Sequence, residues 1–265
     1  MKNLRRIVPL FLILLCFNQT NALEISVIKG NWGKVSIEEI EKLLDSTAKI
    51  FLPYSHEIKD KIISVQWSSS TPMLHYDQTE NGVNKIKLTA KDRYWCQYAF
   101  QFSHEIGHLM CNTKRGNRSN QWFEESLCEV ASLFALKELF RAWSKKPPYS
   151  NWKSYAIEFK KYRDDRIKKS SYPENFQLSS WWNHNKKTLS RNPNLRKQNL
   201  WVAINLLTLF EKAPEISWSA CAWINYSKNQ HPNKFEQYLK NWKSACPKME
   251  QKKFVQNIIE SFGIN

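Results

Sequence analysis

Residues 92–110, DRYWCQYAFQFSHEIGHLM, form the stretch that decides the fold. Apolar side chains occur around most of its helical circumference, which predicts a buried α-helix beginning near Asp92. In such a helix His104 and His108 lie one turn apart on one face, so both imidazoles can bind one metal ion. Glu105 is offset by one residue and lies beside that ion, where it can accept a proton from water. The pattern predicts a metal centre with Glu105 as the catalytic group.

A second helix is predicted to begin near Asn120, after a short polar loop that makes the two helices antiparallel neighbours. Its first turns, WFEESLCE at 122–129, bring carboxylates toward the histidines. A catalytic zinc site uses three protein ligands and keeps one position open. We expect Glu125 to be the third zinc ligand, with Glu124 as the alternative. Glu129 lies one turn beyond Glu125 and can orient a ligating histidine from its outer side.

This arrangement resembles the gluzincin metallopeptidases, which include thermolysin and the aminopeptidase N type enzymes. In that group His-Glu-x-x-His is followed by a second helix that bears Glu, a small residue and, four positions after the Glu, an acidic residue. Glu125, Ser126 and Glu129 match these positions, and Trp122 matches an aromatic residue three places before the ligand. The resemblance covers about residues 83–140.

The resemblance implies peptide-bond hydrolysis at a zinc ion held by His104, His108 and Glu125, with Glu105 as general base. It also implies that the strand before the first helix, at 85–90, forms a sheet edge along which extended substrate lies.

Two departures limit the family comparison. A metzincin site would need Gly and His where this chain has Cys111 and Lys114, which excludes a three-histidine site of that type. The Tyr or His that stabilises the oxyanion in thermolysin-like enzymes has no motif here. His184, Tyr226 and His231 are candidates by residue type only.

The cysteines allow several roles. Cys111 and Cys128 each follow a proposed zinc ligand by three residues, but small thiols packed between helices are commoner than thiol ligands. Among the five cysteines after Cys16, Cys221 and Cys246 are the best candidates for a disulfide in an oxidising compartment.

The remaining pattern predicts an α+β fold in two regions. Residues 23–145 form a zincin-like catalytic region with a small sheet and two antiparallel metal-binding helices, and residues 146–265 form a basic, mostly helical region. A long loop is expected at 164–197, where Lys, Asn and Ser are frequent. Strands are predicted at 24–28, 62–67, 73–76 and 83–90, and further helices at 36–51, 152–162, 198–210, 217–226, 234–242 and 250–262.

Residues 1–22 have the layout of a secretory signal peptide. Lys2, Arg5 and Arg6 precede an apolar run at 7–17, and small residues follow near Ala22. The run is too short to span a bilayer, and no later stretch approaches the ~20 apolar residues that a membrane helix needs. A lipoprotein anchored through Cys16 is the weaker alternative. The expected location is a periplasm or the cell exterior.

Positive charge is concentrated in the C-terminal half. The formal net charge is +16, and residues 146–265 hold 21 Lys and Arg against 9 Asp and Glu, an excess of 12. Such an excess favours binding to an anionic component of the cell envelope, with nucleic acid the less favoured partner; a solvated face that keeps the protein soluble is the alternative.

Together these features predict an exported zinc metallopeptidase that acts on peptide or protein substrates. Two alternatives stay open: a non-catalytic envelope-binding protein with a structural zinc, and a zinc amidase that acts on cell-wall material.

The charge asymmetry gives the first testable prediction. Association of the mature chain with envelope fractions should weaken steeply between low and physiological salt, because screening shortens to a Debye length of ~8 Å at 0.15 M. Co-sedimentation across a salt series measures this. Salt-independent association, or none even at low salt, contradicts the prediction.

Overall fold

The structure, a computed structural model, describes residues 22–75, 82–111, 118–226 and 234–264. It has the predicted α+β class, with one small mixed sheet and a majority of helix. The predicted signal peptide, apart from Ala22, and His231 lie outside the described residues. The strands are β1 (Glu24–Val27), β2 (Ile62–Trp67), β3 (Met73–His75) and β4 (Val83–Leu88). The helices are α1 (Ile37–Ala48), α2 (Trp95–Met110), α3 (Gln121–Lys145), α4 (Ala156–Lys169), α5 (Leu178–Arg191), α6 (Arg196–Lys212), α7 (Pro214–Cys221), α8 (Phe235–Ala245) and α9 (Met249–Ser261).

The sheet has the strand order β1-β2-β4-β3. β1, β2 and β4 run parallel, and β3 pairs antiparallel with β4. The prediction that residues 85–90 form a sheet edge is therefore wrong, because β4 is hydrogen-bonded to β2 on one side and to β3 on the other. β3, which comes between β2 and β4 in the sequence, pairs with the side of β4 that faces away from β2 and is the edge strand at this end.

The first residues of α1 and α2 show how local contacts determine where a helix begins. The helix predicted at 36–51 is α1, and its N-cap Ser36 forms a capping box with Glu39. Asp92 is not the N-cap of α2: it has a positive φ of 52°, and its carboxylate accepts a hydrogen bond from the Lys34 N–H at 2.6 Å. The helix begins only at Trp95, because Asp92 is engaged in this contact with the loop before α1.

α2 and α3 pack closely at Gly107. A Cβ atom on this glycine would lie 2.9 Å from both Cα and Sγ of Cys128. Further along the same contact, the buried Ser132 hydroxyl donates to the Phe100 carbonyl at 2.9 Å. Glycine inside a helix costs roughly 0.5–1 kcal/mol relative to alanine, so its place in α2 is explained by the close approach of the two backbones.

The predicted loop at 164–197 is wrong. α4 continues to Lys169, and α5 occupies Leu178–Arg191. Leu178, Trp182 and Leu189 form the buried face of α5, and Trp182 packs between Phe235 and Phe262. Polar residues fill the other face of α5, so its composition resembles that of a loop although its spacing is helical.

The 25-residue helix α3 lies at the centre of the helical layer, where it contacts α2, α4 and α6. Buried side chains from both sides of residue 145 belong to one hydrophobic core. The division into a catalytic and a C-terminal region stays a prediction. Within the described residues, no helix combines the length and apolar character that crossing a bilayer requires.

The expected Cys221–Cys246 disulfide is absent. The five cysteines of the described chain are free, buried thiols, and the Cys221 thiol is instead the hydrogen-bond neighbour of Cys111. Cys111 is the C-cap of α2 and Cys221 is the last residue of α7, so this contact joins helices that are far apart in sequence.

Gly107→Ala tests whether backbone approach sets the α2–α3 contact. Helix propensity alone predicts a gain, but the added methyl group meets the Cys128 backbone, so we expect a net loss of about 1–3 kcal/mol in the free energy of unfolding. Chemical denaturation measures it, with Gln97→Ala on the exposed face of α2 as control. A stabilised Gly107→Ala variant would show that the helices can separate without cost.

Candidate metal centre

α2 presents His104 and His108 to α3. Their ring centroids are 5.2 Å apart, as expected for residues one turn apart on a helix face. His108 is buried, whereas 18% of the His104 side chain is exposed. The site is therefore open to solvent on the His104 side.

The Glu125 carboxylate lies between the two imidazoles. Its Oε2 is 3.1 Å from His104 Nε2, and its Oε1 is 3.7 Å from His108 Nε2. The Nε2 atoms of both rings thus face one carboxylate, which is 17% exposed. Burial raises the pKa of Glu125, but the hydrogen bond with His104 and the charge of His108 outweigh it and hold that pKa below its usual range.

Glu105 is buried beside this pair, with 3% of its surface exposed. Burial raises its pKa above the usual range, although the two histidines and a hydrogen bond from the Leu74 backbone act in the opposite direction. Leu74 belongs to the edge strand β3. The Glu105 carboxylate therefore connects the edge of the sheet with the histidine pair.

A hydrogen-bonded chain fixes the outer side of His108. Its Nδ1 is 2.8 Å from Glu124 Oε1, and the Asn225 amide donates to Glu124 Oε2 at 2.9 Å. Asn225 is itself held by the Tyr238 hydroxyl, which donates to its Oδ1 at 3.1 Å, and it donates to the Cys111 carbonyl at 3.3 Å.

From the sequence, Glu124 is predicted only as an alternative metal ligand. The contacts of Asn225 and Tyr238 with the site are not predicted from the sequence. Glu124 directly precedes the expected ligand Glu125, and this adjacency could have indicated that Glu124 contacts His108. Asn225 and Tyr238 lie about a hundred residues further along the chain, and no motif marks them.

Glu129 lies near the outer side of His104. Its Oε1 is 3.9 Å from His104 Nδ1, close to the predicted position but longer than a hydrogen bond. Its Oε2 is buried and has no hydrogen-bond partner within the described part of the chain. Burial raises the pKa of this carboxyl above its usual range, partly offset by the charges of His104 and Arg166.

The Cys128 thiol also reaches the histidines. Potential ligand atoms of His104, His108 and Cys128 all lie within 4.8 Å of one another. Cys128 thus completes the group of mutually close donor atoms, whereas Glu125 meets the two histidines through two different oxygens, at 3.1 and 3.7 Å. Cys111, considered beside Cys128 from the sequence, is directed to Cys221 instead.

The charge balance of this cluster suits a cation. Four carboxylates, those of Glu105, Glu124, Glu125 and Glu129, surround two imidazoles. The charges of Arg166 and Arg196 act on Glu129, and that of Arg196 also acts on Glu125, so they offset part of this negative charge. Burying the remainder without a further cation is unfavourable. Burial lowers the pKa of His104, but the hydrogen bond with Glu125 and the charges of Glu105 and Glu129 outweigh it and raise that pKa. Imidazole nitrogens, a carboxylate and a thiol are the donor types of protein zinc sites.

The three candidates for oxyanion stabilisation differ in position. His184 is exposed on α5, and its Nδ1 lies 2.7 Å from the Ser180 carbonyl of its own helix. Tyr226 directly follows Asn225 in the chain, is 54% exposed and packs on Trp223. His231 lies outside the described residues. Tyr226 is thus the candidate adjacent to a residue that contacts the site.

Comparisons with protein-family models, curated proteins and solved structures found no match for this chain. The geometry of the site is therefore the basis for assigning a function.

The Glu124 contact predicts how His108 titrates in the metal-free protein. Burial lowers the pKa of His108, but the neighbouring Cys128 thiol and Glu124 carboxylate raise it well above its usual value. Glu124→Gln removes the charge, so the pKa of His108 should fall in a histidine NMR titration. Glu138→Gln, about four turns further along α3, is the control.

The raised pKa of His108 also determines how the free energy of unfolding changes with pH. Because the folded-state pKa of His108 is raised, its stabilisation is fully present below the unfolded pKa of about 6.5 and is lost as pH rises through the folded-state value. Glu124→Gln should therefore lower the free energy of unfolding most at pH below 6.5. An unchanged His108 titration contradicts the role given to Glu124.

Proposed function

We propose that this chain is an exported zinc metallopeptidase with His104, His108 and Glu125 as metal ligands. The observation that carries the proposal is the convergence of both Nε2 atoms on the Glu125 carboxylate, at 3.1 and 3.7 Å. Glu124 and Glu129 on the outer sides of the rings support it, because histidine ligands are usually oriented by carboxylates or carbonyls.

The sheet supports a zincin-like arrangement. β3 is an antiparallel edge strand beside parallel strands, and the Leu74 N–H in β3 donates to Glu105. An extended peptide can add to such an edge through main-chain hydrogen bonds. We therefore assign substrate binding to β3 rather than to β4, which has no free side.

Each residue then has a defined part in the reaction. Zinc, when bound, supplies Lewis acidity that polarises a carbonyl group and acidifies water. Glu105 accepts a proton from the attacking water and passes it to the leaving amine. Its buried position beside the histidine pair suits this task, because a general base must lie within hydrogen-bond reach of the water it deprotonates.

Access to the site is one-sided. His104 and Glu125 are partly exposed, whereas Glu105, Glu124 and His108 are buried. Substrate consequently approaches past His104 and Glu125.

The basic surface of residues 146–265 is compatible with an anionic envelope partner, which would place the peptidase near its substrates. Cleavage of cell-wall amide bonds in place of protein substrates would assign the same site to a zinc amidase. Zinc binding without any turnover would favour the non-catalytic envelope-binding protein.

Glu105→Gln separates an enzyme from a protein with a structural zinc. Glutamine keeps the size of the side chain but cannot accept a proton near neutral pH. Turnover of an unfolded protein substrate should fall by about 10² to 10⁴, the range for loss of a general base, while zinc content and thermal stability stay close to wild type. Chelation should abolish wild-type turnover, and added zinc should restore it.

The His104→Ala/His108→Ala double variant is the matched control for the metal. It should lose zinc as well as activity in elemental analysis, whereas Glu105→Gln loses activity alone. Wild-type turnover by Glu105→Gln rules out Glu105 as the base. Full zinc in the double variant shows that the metal lies elsewhere.

A further inference from the structure

Cys128 is a completely buried residue of α3 whose thiol lies among the metal-binding groups. Its Sγ belongs to the group of potential ligand atoms from His104 and His108 that lie within 4.8 Å of one another. Cys128 also follows Glu125 by three residues in the same helix, so both side chains project toward the same face.

The packing of the two helices explains why the thiol comes so close. At Gly107, between the two histidines in sequence, the absence of a side chain admits the Cys128 backbone and thiol to the surface of α2. The thiol is also a hydrogen-bond neighbour of His108. Cys111, the buried C-cap residue of α2, is instead a hydrogen-bond neighbour of the Cys221 thiol and lies outside the group of His104, His108 and Cys128.

We propose that Cys128 is a fourth ligand, which binds the same metal ion as His104, His108 and Glu125. This inference rests on the zinc site proposed above. When the ion binds, a sulfur–metal bond forms and the thiol proton is released to solvent, so no oxidant or reductant is required. Zinc accepts nitrogen, oxygen and sulfur donors together in a tetrahedral site.

A fourth protein ligand changes what the site can do. Three protein ligands leave one tetrahedral position for water, whereas four fill the coordination shell of a structural zinc. With Cys128 as a ligand, water would have to join the ion as a fifth ligand or replace one of the four protein donors. The thiolate also makes the site favour thiophilic ions over hard cations such as Mg²⁺.

Cobalt(II) substitution tests the proposal without measuring activity. In the full mature chain loaded with one cobalt ion, a thiolate ligand gives an intense near-ultraviolet sulfur-to-cobalt charge-transfer absorption. We expect this band in the wild type. Cys128→Ser should lose the band while still binding cobalt through the other three ligands, and Cys111→Ser, a buried cysteine outside the group, should keep it.

A second measurement uses only the wild-type protein, so it does not require that the variants fold. X-ray absorption at the zinc edge of the wild-type protein should detect one sulfur at about 2.3 Å beside nitrogen and oxygen at about 2.0–2.2 Å. Stoichiometric metal with only nitrogen and oxygen neighbours, or without the charge-transfer band, overturns the role of Cys128 and leaves the three-ligand site intact. A wild-type chain that binds neither zinc nor cobalt overturns the proposed function itself.

Discussion

The close contact of α2 and α3 at Gly107 is the constraint on which the rest of the site depends. Without a side chain at this position, the Cys128 backbone reaches α2, and the first turns of α3 lie against the histidines. This placement also sets the positions of Glu124, Glu125 and Glu129. Once Glu124 contacts His108, the helical geometry of α3 determines where the other two carboxylates lie. The contact therefore sets the donor geometry as well as the packing.

Packing and electrostatics act in opposite directions at this contact. The hydrophobic core surrounds the site from Leu109 and Met110 on α2 to Leu127 and Val130 on α3, all nearly or completely buried. It also encloses four carboxylates, two of which, Glu105 and Glu129, have pKa values raised by burial. The proposed cation would offset this cost, and its binding would then stabilise the fold through linkage. The chain of Glu124, Asn225 and Tyr238 extends this dependence to the C-terminal helices.

Asn225 and Tyr238 belong to the predicted C-terminal region, yet they contribute to the site formed by the predicted catalytic region. α8 contributes Tyr238, and the segment after α7 contributes Asn225, so residues far beyond 145 position a histidine on α2. The same C-terminal part supplies Phe235 and Phe262, which pack on Trp122 and Trp182. The helical region thus supports the site directly while its exposed surface carries most of the positive charge of the protein.

Local sequence determined much of this structure. The strand at β4, the helix that begins after Ser36 and the one-turn spacing of His104 and His108 each depend on contacts within a few residues, and each was predicted. The position of Glu125 between the histidines also agrees with its spacing on the second helix. Tertiary structure decided the rest. β3 pairs with the second side of β4, so β3 and not β4 is the edge strand. The polar segment that contains Trp182 forms helix α5, because Trp182 is buried in the core. Helix packing places Cys128, Glu124 and Asn225 close to the histidines. These features depend on which distant surfaces meet, and one sequence records its local periodicity far more directly than its long-range partners.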